Sequence, residues 1–167
     1  MSSRRKICSD LMMDPIVFHG REVDLLDTAE MARIRGVGQL STVYMFHPNA
    51  THTRWHHSIG MAGLIKSFIK AQPPETTPDL DDQRLLVSAA LTHDTGHAAW
   101  SHVGEVFTAM RGKPIKHDVI SAKLVRGDPA LNKYYEEWDL PRIAEVIDEP
   151  SDQKMIADLI LGRPPIP

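Results

Sequence analysis

This chain has very little cysteine: Cys8 stands alone, so no internal disulfide can form and a free thiol is its expected state. Aromatic residues make up only 6% of it, and no apolar run approaches the ~20 residues needed to cross a bilayer. Its densest apolar stretch, Leu85–Leu91, is short and broken by Ser88. Met1–Lys6 is basic, yet no apolar signal-peptide core follows it. A net charge of −3 argues against a dominant non-specific grip on nucleic acid, which is not expected as the main partner. No segment repeats at a fixed period and none is of low complexity. The expectation is a cytoplasmic protein without a membrane partner, built as one domain of 167 residues. With 42% apolar and 25% charged residues it has the material for a packed core, and a domain of this size buries roughly 70% of its unfolded surface.

What is plentiful is histidine. There are nine, and eight lie between His47 and His117. Paired histidines next to carboxylates are the raw material of metal sites and of acid–base catalysis.

Periodicity predicts a mainly α protein. Ile7–Asp24 mixes β-branched residues with Asp14-Pro15 and His19-Gly20, which reads as a short extended segment or hairpin. A helical pattern begins near Asp27, with Asp27 or Thr28 as cap and Met31, Ile34 and Val37 at helical spacing. Arg54–Ala71 is the clearest helix, with Ile59, Ala62, Leu64, Ile65, Phe68 and Ile69 as its apolar face and Pro73-Pro74 as its stop. Gln72–Asp79 reads as an exposed connector, followed by a buried helix from Asp81 to about His93. Further helical patterns fall near Ser101–Met110, His117–Val125, Pro129–Trp138, Pro141–Ile147 and Asp152–Leu161.

His93-Asp94 is the first candidate site. Neighbouring helical residues diverge by about 100°, so the two converge on one ion only between helices or off a helix end, and Gly96 allows an end there. Imidazole with carboxylate suits Mn, Fe, Zn, Ni or Co, with Mg less natural. Taken alone the dipeptide is weak evidence, and chance or a capped core histidine is the better reading of it. Its surroundings add weight: His57 in the preceding helix, then His97, His102, Glu105 and His117. His102 and Glu105 are i, i+3 neighbours, so the carboxylate can orient the imidazole and raise its basicity, unless the two form only an exposed helix pair.

Together these residues resemble the HD-domain deoxynucleoside triphosphate triphosphohydrolase family, which includes bacterial dGTP triphosphohydrolases and the mammalian SAM-and-HD-domain nucleotide hydrolase. The resemblance runs through Asp14-Pro15, Leu26-Asp27-Thr28 and Arg33-Ile34-Arg35-Gly36-Val37-Gly38-Gln39-Leu40. It continues with Arg54 and His57-Ser58, then His93-Asp94-Thr95-Gly96-His97, Ser101-His102, and His117 with Ser121. It implies an HD-domain helical bundle and a divalent metal held by His57, His93 and Asp94. It also implies phosphate contact by Arg54, phosphate-side histidines at His97 and His117, and a catalytic dyad of His102 and Glu105. Gln39 and Leu40 match positions lining the deoxyribose end of the pocket. The implied reaction turns a deoxynucleoside triphosphate into deoxynucleoside and tripolyphosphate, in a homo-oligomer.

The chain departs from the family where a fourth metal ligand, a later aspartate, is expected. Asp148, Asp152 and Asp158 are available, but none stands in the family's context and each reads as a solvated helix-end charge. The ending Gly162–Pro167 resembles an interior connector, so the chain reads as a single HD domain lacking the C-terminal part of the family's catalytic domain. A longer parent protein, a second chain supplying the missing portion, or a short paralogue without hydrolysis would each account for this. The rival functions are an HD phosphomonoesterase or phosphodiesterase on other nucleotides, and a non-catalytic HD subunit that needs a partner chain. Trp55 and Trp100 are expected in the core.

Overall fold

The structure, a computed structural model, describes residues 4–9, 14–127 and 140–148. The helical patterns near 129–138 and 152–161, with Asp152 and Asp158, lie outside the described residues. Strands β1 (Arg5–Cys8) and β2 (Ile16–His19) form an antiparallel hairpin with Arg5 opposite His19 and Cys8 opposite Ile16. Alternation sets its inner face: Ile16 and Phe18 are buried, while Val17 is only partly so. Cys8 is buried as well, and that burial pushes its thiol pKa up.

The predicted extended stretch ends earlier than the sequence implies. Gly20, at φ +51°, reverses the chain, and α1 (Arg21–Leu26) follows at once, burying Val23, Leu25 and Leu26. Thr28 caps α2 (Ala29–Arg33) by accepting the Met31 N–H, and a 3-10 turn at Ile34–Gly36 completes the segment. Met31, Ile34 and Val37 all enter the core.

The frame consists of α3 (Arg54–Ala71) packed on α4 (Leu80–Thr92), with α6 (His117–Gly127) packed on α7 (Leu140–Asp148) and α7 against α4. α5 (His102–Met110) contributes no buried residue. α3 and α4 meet through Ile59, Ala62 and Ile65 on one side and the nearly continuous apolar run after Arg84 on the other. The expected apolar face of α3 is narrower than its composition. Leu64 and Phe68 are exposed, because only one stripe of a helix meets its neighbour. Asp79 starts α4 by accepting the N–H groups of Asp81 and Asp82 at 3.0 and 2.8 Å. Lys66 ties hairpin to bundle, donating to Val17 O at 3.0 Å and to Glu22 at 2.7 Å. Trp55 packs against the core under the Arg35 guanidinium, whereas Trp100 is exposed at φ +66° and is not the core residue expected. Among the described residues, no helix is long and apolar enough to cross a membrane.

Candidate metal centre

Two helix ends build the site. The first turn of α3 carries Arg54 and His57, which share a face at i, i+3 spacing. Next to them, His56 is structural: its Nδ1 accepts the Thr53 N–H at 3.1 Å and closes the helix start. α4 ends at Thr92 with His93 as its C-cap, so Asp94 already lies in the turn beyond. The two side chains nevertheless converge, with donor atoms 3.6 Å apart. The ring of His93 donates from Nδ1 to Ala90 O at 2.8 Å, because a carbonyl only accepts, and this turns Nε2 towards His57.

His57 Nε2 lies 3.3 Å from His93 Nε2 and 3.7 Å from Asp94 Oδ2, and His93 Nε2 lies 3.6 Å from Asp94 Oδ1. Donors spaced this way match the edges of a tetrahedron around an ion bonded at about 2.1 Å, where edges run to about 3.4 Å. Burial, with His93 and Arg54 nearby, holds the His57 pKa down at about 4, so it offers a neutral imidazole at pH 7. Burial alone would raise the Asp94 carboxyl, but His93 and Arg54 outweigh it and hold it well below the usual carboxylate range. Two imidazoles and a carboxylate, a donor set of nitrogen and oxygen, therefore fit a divalent cation.

Arg54, expected at substrate phosphate, is 3% exposed. One terminal nitrogen donates to Asp94 Oδ2 at 2.8 Å and the other to Ser101 Oγ. Ser101 sits at φ +54° directly after Trp100, and this strained pair turns the chain so that Ser101 reaches Arg54 just before α5 begins.

Beside this lies a second cluster, His97, His102, Glu105 and His117, whose ligand atoms fall within 4.8 Å of one another. Glu105 organises it, bonding His102 Nδ1 at 2.9 Å, His117 Nδ1 at 2.7 Å and the His117 backbone N–H at 2.8 Å. Against a desolvation that raises it, those bonds lower the Glu105 pKa to about 2. The rings of His97 and His117 are stacked, 3.8 Å apart at 13°. Rings so stacked cannot both aim in-plane lone pairs at one ion, so the cluster suits proton transfer better than a second metal. Asp94 links the two groups, with Oδ1 3.5 Å from His97 Nε2 and 3.7 Å from His117 Nε2.

His97 is fully buried, and neither ring nitrogen has a hydrogen-bond partner. Burial, then His117, lower its pKa to about 3, so it enters the site neutral rather than as an imidazolium. Unfolded histidines bind protons below about 6.5, while folded His57 and His97 refuse them until about 4 and 3. Stability should be full above pH 6.5 and fall as pH drops towards 4. The slope is roughly 1.4 kcal/mol per pH unit for His97 and less for His57, whose side chain is 34% exposed. Urea melts of the metal-free protein at pH 7, 6 and 5 would show it, and His97→Phe should flatten the slope.

Gln39 and Leu40 lie outside both clusters. Gln39 N–H donates to His52 O at 3.0 Å, its carbonyl faces Ser101 Oγ at 3.4 Å, and its side-chain Oε1 is buried without a partner. Leu40 is half exposed. Asp148, at the end of α7, pairs with Arg126 at 3.6 Å, and among the described residues the metal cluster has three donors.

Residues 54–165 match the HD domain. This chain belongs to the HD-domain family. The match begins at Arg54 and spans both histidine clusters. Among curated relatives, the HD chain is 29% identical over 175 residues to a deoxynucleoside triphosphate triphosphohydrolase SAMHD1 homolog of Dictyostelium discoideum, covering 97% of this chain and 34% of that one. It is 29% identical over 163 residues to the Gallus gallus deoxynucleoside triphosphate triphosphohydrolase SAMHD1, covering 89% and 26%. It is 31% identical over 146 residues to the uncharacterized protein YwfO of Bacillus subtilis, covering 84% and 32%. The chain thus spans about a third or less of these relatives. A phosphohydrolase crystal structure from Bacteroides thetaiotaomicron shares the fold, with a TM-score of 0.77 at 22% identity over 94% of this chain and 38% of that one.

Three supporting residues had no role assigned from sequence, although each stands inside a motif. Ser101 holds Arg54, and Ser121 bonds the backbone of the His93–His97 turn. Arg33 donates from α2 to His97 O at 2.7 Å and to Thr95 O. Their partners are backbone groups and buried side chains far away in sequence, which spacing does not reveal.

Proposed function

We propose that this HD domain is the metal-binding part of a phosphohydrolase that converts deoxynucleoside triphosphates to deoxynucleoside and tripolyphosphate. The observation that carries the reading is the adjacency of a three-donor metal cluster and a Glu105-organised histidine cluster, joined through Asp94. The triphosphohydrolases among its relatives support the choice of substrate. His57, His93 and Asp94 would hold the cation, which when bound supplies Lewis-acid polarisation of a phosphate oxygen. Attack of a water oxygen on the α-phosphorus breaks its bond to the nucleoside 5′-oxygen, which leaves as an alkoxide that must be protonated. His102 is suited to that step: its Nδ1 is fixed by ionised Glu105, its other ring nitrogen is left for the substrate, and its side chain is 60% exposed. His97 and His117 would face the phosphates. Gln39 and Leu40 would line the sugar end, and Arg54 would steady the Asp94 carboxylate. The fourth ligand and the base-recognition surface are proposed to come from further polypeptide, in a homo-oligomer or from a second chain.

Incubation of each dNTP with Mn²⁺ or Mg²⁺, followed by product separation, tests this. Tripolyphosphate plus deoxynucleoside is expected, abolished in His93→Ala and reduced about 10²–10⁴-fold in His102→Ala. Release of orthophosphate or pyrophosphate instead would move the assignment to another HD phosphohydrolase. Absence of turnover until a second chain is added would point to a dependent subunit.

A further inference from the structure

The turn that carries the metal ligands is docked onto the helix that carries His117, and a single hydroxyl makes the join. Ser121 is fully buried on α6, one turn beyond His117 and on the same face. Its Oγ donates to His93 O at 2.6 Å and accepts the Gly96 N–H at 2.8 Å. These two bonds reach both ends of the His93–Gly96 segment, with Asp94 between them. The approach is so close that a Cβ on Gly96 would stand 2.2 Å from His117 O. Across this join the His97 ring stacks on His117, and Asp94 Oδ1 comes within 3.7 Å of His117 Nε2.

We propose that Ser121 is a positioning residue that sets the spacing between the metal-ligating pair His93–Asp94 and His117. It touches neither metal nor substrate. It acts through the backbone of a ligand, as the outer partners of metal ligands do, and such partners typically govern 10–100-fold in affinity or activity. Without the hydroxyl, His93 O and Gly96 N–H lose their partner in a buried place, and the turn can shift relative to α6.

The test uses the full chain and two readouts. Mn²⁺ binding, followed by the electron paramagnetic resonance signal of the free ion, needs no substrate. Turnover of dNTP at saturating Mn²⁺ rests on the proposed activity. Ser121→Ala should remain helical by circular dichroism, weaken Mn²⁺ about 10-fold and lower kcat about 10–100-fold, with KM within about 3-fold. Ser121→Thr, which keeps the hydroxyl, should recover most of both. Val125→Ala, one turn further along the same buried face, should lower Tm and leave Mn²⁺ affinity intact. Wild-type Mn²⁺ affinity and kcat in folded Ser121→Ala would overturn the proposal, as would equal loss of Mn²⁺ affinity in Val125→Ala. If Ser121→Ala does not fold, Ser121→Cys, of similar size but a weak donor, decides between an intermediate loss and none. If the wild type hydrolyses no dNTP, the proposed substrate fails while the Mn²⁺ measurements still judge Ser121.

Discussion

Asp94→Ala should lose the metal and destabilise the fold in one step, by about 3–5 kcal/mol. Asp94 is 2% exposed and pairs with Arg54, which is itself almost completely buried. Removing the carboxylate strands the guanidinium inside the protein with only Ser101 as partner, and an uncompensated buried charge accounts for a penalty of this size. It also removes the one carboxylate that the described residues bring to the candidate metal cluster, leaving two imidazoles. The two losses separate in a second variant. Arg54→Met combined with Asp94→Ala takes away the stranded charge, so urea melts should return much of the stability while Mn²⁺ binding stays absent. If the double variant were as unstable as Asp94→Ala, the ion pair would not be the source of the penalty.

Gly96→Ala should be comparably disruptive. The added methyl would meet His117 O at 2.2 Å, Ser121 N at 2.5 Å and Ser121 Oγ at 2.8 Å. Two of these atoms are helix backbone and cannot rotate aside, so α6 must move away from the turn. Destabilisation of about 3 kcal/mol is expected from overpacking of this kind. Separation of His117 from Asp94 should also reduce turnover beyond what unfolding explains. Gly127→Ala is the control, because a Cβ there meets nothing within 4 Å. A thermal melt of both variants decides the matter, and a wild-type Tm for Gly96→Ala would contradict the packing described.

Much of the frame is legible in the sequence. α3 begins at Arg54 and ends at Ala71 as the apolar period and Pro73-Pro74 predict, and α4 differs by one residue at each end. Both carry strong local signals. α1 was hidden inside a β-branched stretch, since six residues carry too little periodicity to outweigh the strand-like composition before Gly20. Trp100 looked like core material by composition but stands in a left-handed backbone conformation with its ring outside. Leu64 and Phe68 share the apolar composition of α3 and lie beyond the stripe that α4 covers.

The same division holds at the candidate site. Sequence alone supplies the candidates, because imidazole and carboxylate chemistry belongs to residue type: His93-Asp94 and His102 with Glu105 stand close together along the chain, and His57 joins them through the family resemblance. Tertiary structure decides the rest. It brings His57, His93 and Asp94 within 3.7 Å of one another at the end of α4, and it gives Glu105 a second histidine twelve residues away. It places Arg54 beneath Asp94 instead of in the open, and makes Ser121 the link between the turn and α6. Protonation states follow the same rule: His57 and His97 are neutral because the fold buries them beside other cationic groups. Desolvation and contact depend on distance in space, and a linear pattern of residue types records neither.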